Sequence, residues 1–220
     1  MEQEPTGGPG MRTIDRALRL LGLVCDADGL TLTEVARRAD LSASTALRLL
    51  RSLESHEFVR RDEDGLFTAG PHLVQLGAAA LSNTALVVQA RDAMRRVADG
   101  TTESCYLSVF GTGNTAVHLA IAEGTQSIRH VGWVGRAIPV EDTAVGRVLL
   151  GDVGPDGYVV VVEGAEKDVT AVSVPISAGS RVVAAMSCLV PSYRLTTTDD
   201  VARIGGWLVR EAASVYEPPR

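Results

Sequence analysis

The sequence predicts an α+β chain: an N-terminal winged helix-turn-helix, a connecting helix, and a C-terminal domain built on an antiparallel sheet flanked by helices. Three observations predict it. Residues 31–70 hold two short amphipathic helices at a tight break, followed by a polar-tipped hairpin. From residue 104 the apolar spacing changes from helical to strand-like. The strand-like runs then recur as hairpins with helices on either side, the pattern of an antiparallel α+β domain.

Residues 1–10, MEQEPTGGPG, are acidic and Gly/Pro-rich, unlike a secretory leader, and read as a disordered tail. Ile14, Ala17, Leu18, Leu21 and Val24 recur at helical spacing and mark a first helix over 13–25. Asp28-Gly29 then signals a turn. Thr31 and Glu34 have the spacing of a capping box, which starts a second helix over 32–39. After a short break, Ser42 caps a third helix running to about Ser55, with Ala46, Leu49, Leu50 and Leu53 on its buried stripe. The hairpin is Phe58–Arg61, a turn at Asp62–Gly65, and Leu66–Ala69, with Asp64-Gly65 tolerating positive φ. Together residues 11–70 form one module, and 71–85 read as a linking helix after Pro71.

The third helix is built to read DNA. Small hydroxyl residues in its first turn allow close approach to phosphates and base edges, and longer arginines reach from later turns. The candidate contacts are Arg38, Ser42, Ser44, Thr45, Arg48 and Arg51. Arg60 and Arg61 on the wing fit either backbone contacts beside that helix or plain surface charge. The net charge of −6 argues mildly against nucleic acid, but residues 31–61 carry six arginines against four acids. Lys167 is the sole lysine, so every cation available there is a guanidinium, the better fork for phosphate or guanine.

Residues 86–220 make the second domain. A helix over 86–99 leads into strands at 104–110 and 115–122, joined by a Gly-Thr-Gly-Asn turn. Ser127–Val134 reads as a third strand, Thr143–Leu150 as a short helix, and Tyr158–Val162 as a strand. Val169–Ile176 and Arg181–Val190 form a hairpin, and a helix over 198–215 closes the chain.

No apolar run approaches the roughly 18–20 residues needed to span a bilayer, and a cytoplasmic location is expected. Cys25, Cys105 and Cys188 suggest neither a disulfide framework nor a zinc site. His56, His72, His118 and His130 show no metal-ligand spacing, so no metal or cofactor is expected. His118 reads as a hydrogen-bonded core histidine, and Cys105 and Cys188 as small buried hydrophobes. No nucleophile–base pair is evident, and an enzyme is not expected.

The chain resembles the IclR family of transcriptional regulators. The likeness rests on TIDRALRLLGLV, LTEVARRADLSASTALRLLRSLESHEFV and RRDEDGLFTAGPHLVQLGAAAL, with STALRLLRSLE closest to that family's recognition helix. It continues through AVHLAIAEG (116–124), VGRAIPVEDTAVGRVLLG (134–151) and RVVAAMSCLVPSYRLT (181–196), which look like the effector-binding half, a domain with a GAF-like sheet. The resemblance implies a ligand pocket bordered by Ala144, Val145 and Gly146, with Ser187 and Leu189 on the ligand-facing strand. Those strand residues fit a ligand site or a filled core equally well. Four departures stand out: Ala43 replaces a common lysine or arginine, Glu141 a common histidine, Leu189 a residue that is polar in some ligand-binding members, and the passage from Leu150 to Thr170 is shortened.

The resemblance thus implies a regulator that binds an inverted-repeat operator as a homodimer or a dimer of dimers, modulated by a small organic effector. The shortened passage leaves open an effector-independent regulator. A small-molecule-binding enzyme carrying a DNA module is a third reading, from another class.

Overall fold

Residues 9–82 and 84–216 are described by a computed structural model, and they fall into two compact units that divide between residues 83 and 84. The expected tail over residues 1–8 lies outside the described residues.

The N-terminal unit runs α1 (Pro9–Cys25), α2 (Leu32–Ala39), α3 (Ala43–Ser55), β1 (Val59–Arg61), β2 (Phe67–Ala69) and α4 (Pro71–Ser82). Helix α1 begins two residues inside the stretch expected to be disordered. Proline is suited to that first turn, where its missing N–H has no helical partner to lose. The buried stripe of α1 also differs from expectation: Leu20 and Val24 are fully buried, whereas Ile14 and Leu18 are 61% and 59% exposed.

Thr31 and Glu34 cap α2 reciprocally, the hydroxyl accepting from the Glu34 N–H and the carboxylate accepting from the Thr31 N–H at 2.9 Å. Asp40 ends α2 in the left-handed region at φ 57°, so its N–H and that of Leu41 return to the carbonyls of Arg37 and Ala36. This tight reversal sets α3 against α2, with Ala46, Leu49 and Leu50 buried. Strands β1 and β2 pair antiparallel, and Leu30 adds a backbone bridge to Phe67, so the wing is anchored to the turn before α2. Gly70 is required where the chain leaves the wing, because a Cβ there would lie 2.1 Å from the Glu57 carbonyl oxygen.

The second unit runs α5 (Ala85–Thr101), β3 (Cys105–Phe110), β4 (Thr115–Ala122), β5 (Ala137–Pro139), α6 (Ala144–Leu149), β6 (Val159–Val162), β7 (Val169–Ala178), β8 (Arg181–Pro191) and α7 (Thr198–Ala213). Its strands form one antiparallel sheet in the order β5-β4-β3-β8-β7-β6. Strand alternation divides the core in two. Cys105, Leu107, Val174, Met186 and Cys188 share one cluster with α5 and α7, whereas Tyr106, Ala185 and Leu189 share another with α6. A bulge between Leu107 and Ser108 changes the face of β4: Ala116 lies in the α6 cluster before it, and Ala122 in the α5/α7 cluster after it.

The expectation of a strand over Ser127–Val134 is corrected. That segment is irregular, and the strand beside β4 is Ala137–Pro139. Gly132 and Gly135 take positive φ, and Ile128, Val131 and Val134 point outward, so their β-like spacing does not mark a paired strand. What the segment buries is His130 and Trp133.

Candidate functional site

Each unit carries one candidate site. In the first, Ser44, Arg48 and Arg51 are exposed at spacings of four and three residues, which places them on one face of α3. Neither Arg48 nor Arg51 enters an ion pair among the described residues. Ser42 works as the cap: its hydroxyl accepts from the Thr45 N–H at 3.3 Å and donates to Thr45 Oγ1 at 2.9 Å. Its Oγ also lies 3.2 Å from Ser44 Oγ. The hydroxyls of this first turn are therefore coupled to one another rather than independent. Thr45 is half-buried, and Arg38 is exposed in the last turn of α2.

The wing arginines fold back on their own hairpin. Arg60 Nε donates to Thr68 Oγ1 at 3.1 Å, and Arg61 Nε donates to the Gly65 carbonyl at 3.2 Å with its guanidinium over the Phe67 ring. The turn they flank is acidic. Asp62 accepts the Leu66 N–H at 2.8 Å, and Glu63 and Asp64 are exposed. Over residues 31–70 the six arginines therefore meet seven acids, and the local positive excess of 31–61 is lost. Positive charge is concentrated at α2 and α3, not at the wing tip.

In the second unit a cavity lies against the α6 side of the sheet. It is lined by His118, Trp133, Ile138, Thr143, Ala144, Val145, Val161, Gly164, Ala165, Glu166, Val169, Ala171, Ser173, Ser187 and Leu189. The room open to the centre of a water molecule is about 20 Å³, enough for one or two waters. Of the residues expected to border a ligand, Ala144, Val145, Ser187 and Leu189 line this space. Gly146 does not: it is packed on the Val140 carbonyl, where a Cβ would clash outright. The shortened passage still closes the cavity, through Gly164, Ala165 and Glu166.

The polar groups at the cavity are paired across strands. Ser173 and Ser187 hydroxyls lie 2.7 Å apart on β7 and β8. His118 is 1% exposed; its Nδ1 lies 2.7 Å from Ser108 Oγ, and its Nε2 has no hydrogen-bond partner within the protein. A second chain runs from Tyr106 Oη to His130 Nδ1 (2.9 Å) and from His130 Nε2 to Glu166 Oε2 (3.0 Å). Burial, helped by nearby His130 and Arg136, pushes His118 down to about 4, so its ring is neutral at pH 7. Burial also lowers His130 against the opposing pull of Glu166, and raises the Tyr106 hydroxyl to about 12.

Trp133, His130, Glu166 and Ser173 were not legible as site residues in the sequence. Trp133 and His130 sit in the segment expected as a strand, and Glu166 in the shortened passage from Leu150 to Thr170. The one available signal was the even spacing of Ser108 with Tyr106 and of Ser187 with Leu189, which puts polar residues on one sheet face. Cys105 and Cys188 face each other directly across β3 and β8, fully buried, in keeping with their reading as core residues.

Comparison with known proteins follows the same division. Residues 13–63 match the family model of the IclR helix-turn-helix domain, and residues 78–155 that of the bacterial transcriptional regulator IclR C-terminal domain. The HTH-type transcriptional regulator BhcR of Paracoccus denitrificans is 32% identical over 66% of this chain. The acetate operon repressor of Salmonella typhimurium is 27% identical over 64% of it. The chain spans about half the length of these relatives, 52% in each case. An IclR transcriptional regulator from Alicyclobacillus acidocaldarius superposes with a TM-score of 0.80 at 25% identity, over 93% of this chain and 97% of its own. An IclR homolog from Microbacterium hydrocarbonoxydans, solved with 4-hydroxybenzoate, superposes with a TM-score of 0.73 at 23% identity, over 92% and 97% of the two chains.

Proposed function

Because this chain belongs to the IclR family of bacterial transcriptional regulators, we propose that it binds an inverted-repeat operator through α3, and that a small organic effector in the C-terminal cavity modulates that binding. The observation that carries the first half is the exposed row Ser44, Arg48 and Arg51 on a helix whose opposite side is buried against α1 and α2. Guanidiniums that are free of ion pairs and share a face can reach phosphate and guanine edges together.

The active species is a homodimer or a pair of dimers in the cytoplasm, its two-fold symmetry matched by that of the operator. It acts as a repressor or a dual regulator, as the name of the acetate operon repressor suggests for this chain. The effector shifts the population between two arrangements of the DNA-binding modules, by binding one better than the other. The Microbacterium homolog solved with 4-hydroxybenzoate supports a small organic effector. Gel-shift titration against the region upstream of the gene tests the reading. Retarded bands that resist excess unrelated duplex are expected, and indiscriminate binding would contradict it.

A second reading, an effector-independent regulator with a vestigial pocket, is favoured by one observation: the cavity admits only one or two waters. Thermal-shift screening with small organic acids and aromatics separates the two, since a ligand that binds the folded state raises its melting temperature.

A further inference from the structure

We propose that the C-terminal cavity selects a small uncharged ligand bearing a hydroxyl group, and rejects carboxylates. The proposal rests on the reading of this domain as an effector domain and adds the chemical class of the effector.

Among the described residues lining the cavity there is no arginine or lysine, and one carboxylate, Glu166. Both histidines at the site are disfavoured as cations by burial, so neither supplies a positive charge at neutral pH. The Arg136 guanidinium stacks on the Trp133 ring at 4.4 Å but is exposed and does not line the cavity. A carboxylate entering here would meet no cationic side chain in the wall and would be repelled by Glu166. Burying an uncompensated charge carries a large desolvation cost.

His118 Nε2 is the buried polar atom lining the cavity that lacks a partner within the protein. Its role depends on the Nδ1–Ser108 bond: if Ser108 donates, Nε2 carries the proton and donates; if Nδ1 donates, Nε2 accepts. A ligand hydroxyl satisfies either tautomer, whereas a carboxylate satisfies only one. Apolar walls from Trp133, Ile138, Val145 and Leu189 favour a hydrocarbon or aromatic body behind that hydroxyl. Glu166 is half-exposed, and its bond to His130 holds its carboxylate at the rim that a ligand larger than two waters has to pass.

Calorimetric titration of the full-length protein at pH 7.5 with phenol, fluorobenzene and benzoate tests the inference. Phenol is expected to bind at least about tenfold more tightly than benzoate, and more tightly than fluorobenzene, which lacks the donor. His118→Phe should abolish the advantage of phenol over fluorobenzene. Glu166→Gln, which removes the charge and keeps an oxygen facing His130, should narrow the gap between phenol and benzoate to a few-fold. Benzoate binding as tightly as phenol would overturn the inference while leaving the effector reading intact. Absence of binding by all three at millimolar concentration would overturn the inference, and a thermal-shift screen of small organic acids and aromatics that also finds no ligand would overturn the effector reading with it.

Discussion

Ser108 Oγ and His118 Nδ1 lie 2.7 Å apart on neighbouring strands, brought opposite each other by the bulge that follows Leu107. Without that bulge, the register that pairs Leu107 with Ala120 would set Leu119 against Ser108 and turn His118 to the other face of the sheet. The pair therefore fixes both where the histidine sits and which nitrogen remains for the cavity.

His118 should make the domain acid-sensitive. Its folded value of about 4 lies below its ordinary 6.5, so the unfolded chain takes up the proton first as pH falls. Its contribution is present above pH 6.5 and is lost on acidification towards pH 4, with about 2 kcal/mol gone by pH 5. His130, lowered in the same direction, adds to the effect. Urea unfolding at pH 7 and pH 5 measures it, and His118→Phe should flatten the difference. An unchanged slope in the variant would remove His118 from the account.

The wing tip should oppose DNA binding. Glu63 and Asp64 are exposed beside Arg60 and Arg61, and Asp62 alone is committed to the turn through the Leu66 N–H. Glu63→Gln with Asp64→Asn is expected to tighten binding to any duplex about two- to fivefold at low salt, with the gain shrinking as salt rises. Fluorescence anisotropy at 50 and 200 mM salt reads this directly. Weaker binding of the double variant would show that the acids make contacts of their own.

Arg61→Ala should weaken operator and unrelated DNA by the same factor, because a phosphate contact carries no sequence information. Its bond to the Gly65 carbonyl and its packing on Phe67 also predict a small loss of wing order. A loss confined to the operator would place Arg61 among the base-reading residues instead.

Gly146 should be a packing position. A methyl group there meets the Val140 carbonyl at sub-van der Waals distance, so Gly146→Ala is expected to destabilise the C-terminal unit by about 1–3 kcal/mol. Thermal unfolding measures the loss. Unaltered stability together with altered ligand response would return Gly146 to the ligand wall.

The exposed face of α3 was legible in the sequence because local chemistry determines it. Thr31 with Glu34, and Ser42 with Thr45, are caps written in adjacent residues, and helical spacing then sets which arginines face outward. The cavity was legible only in part. Ala144, Val145, Ser187 and Leu189 follow from a family likeness, but His118 reaches the cavity through a bulge that no local pattern marks. Trp133 and His130 are brought in by a segment whose apolar residues mimic a strand while facing outward. Glu166 closes the cavity from a turn flanked by positive φ at Glu163 and Asp168; aspartate tolerates that region, but glutamate gives little sign of it in sequence. The stripe of α1 failed for a related reason: Ile14 and Leu18 have core spacing but are exposed in the single chain. Where tertiary pairing decides orientation, periodicity alone is silent.

The central claim is that α3 reads sequence through Arg48. The most direct test compares the wild type and Arg48→Ala for binding to the upstream fragment and to a scrambled duplex of equal length, at one moderate salt concentration. The account predicts that the wild type prefers its own fragment by at least about a thousandfold. It predicts that Arg48→Ala loses about 1–3 kcal/mol on that fragment and much less on the scrambled duplex. Equal affinity of the wild type for both duplexes, or an unchanged preference in Arg48→Ala, would contradict it.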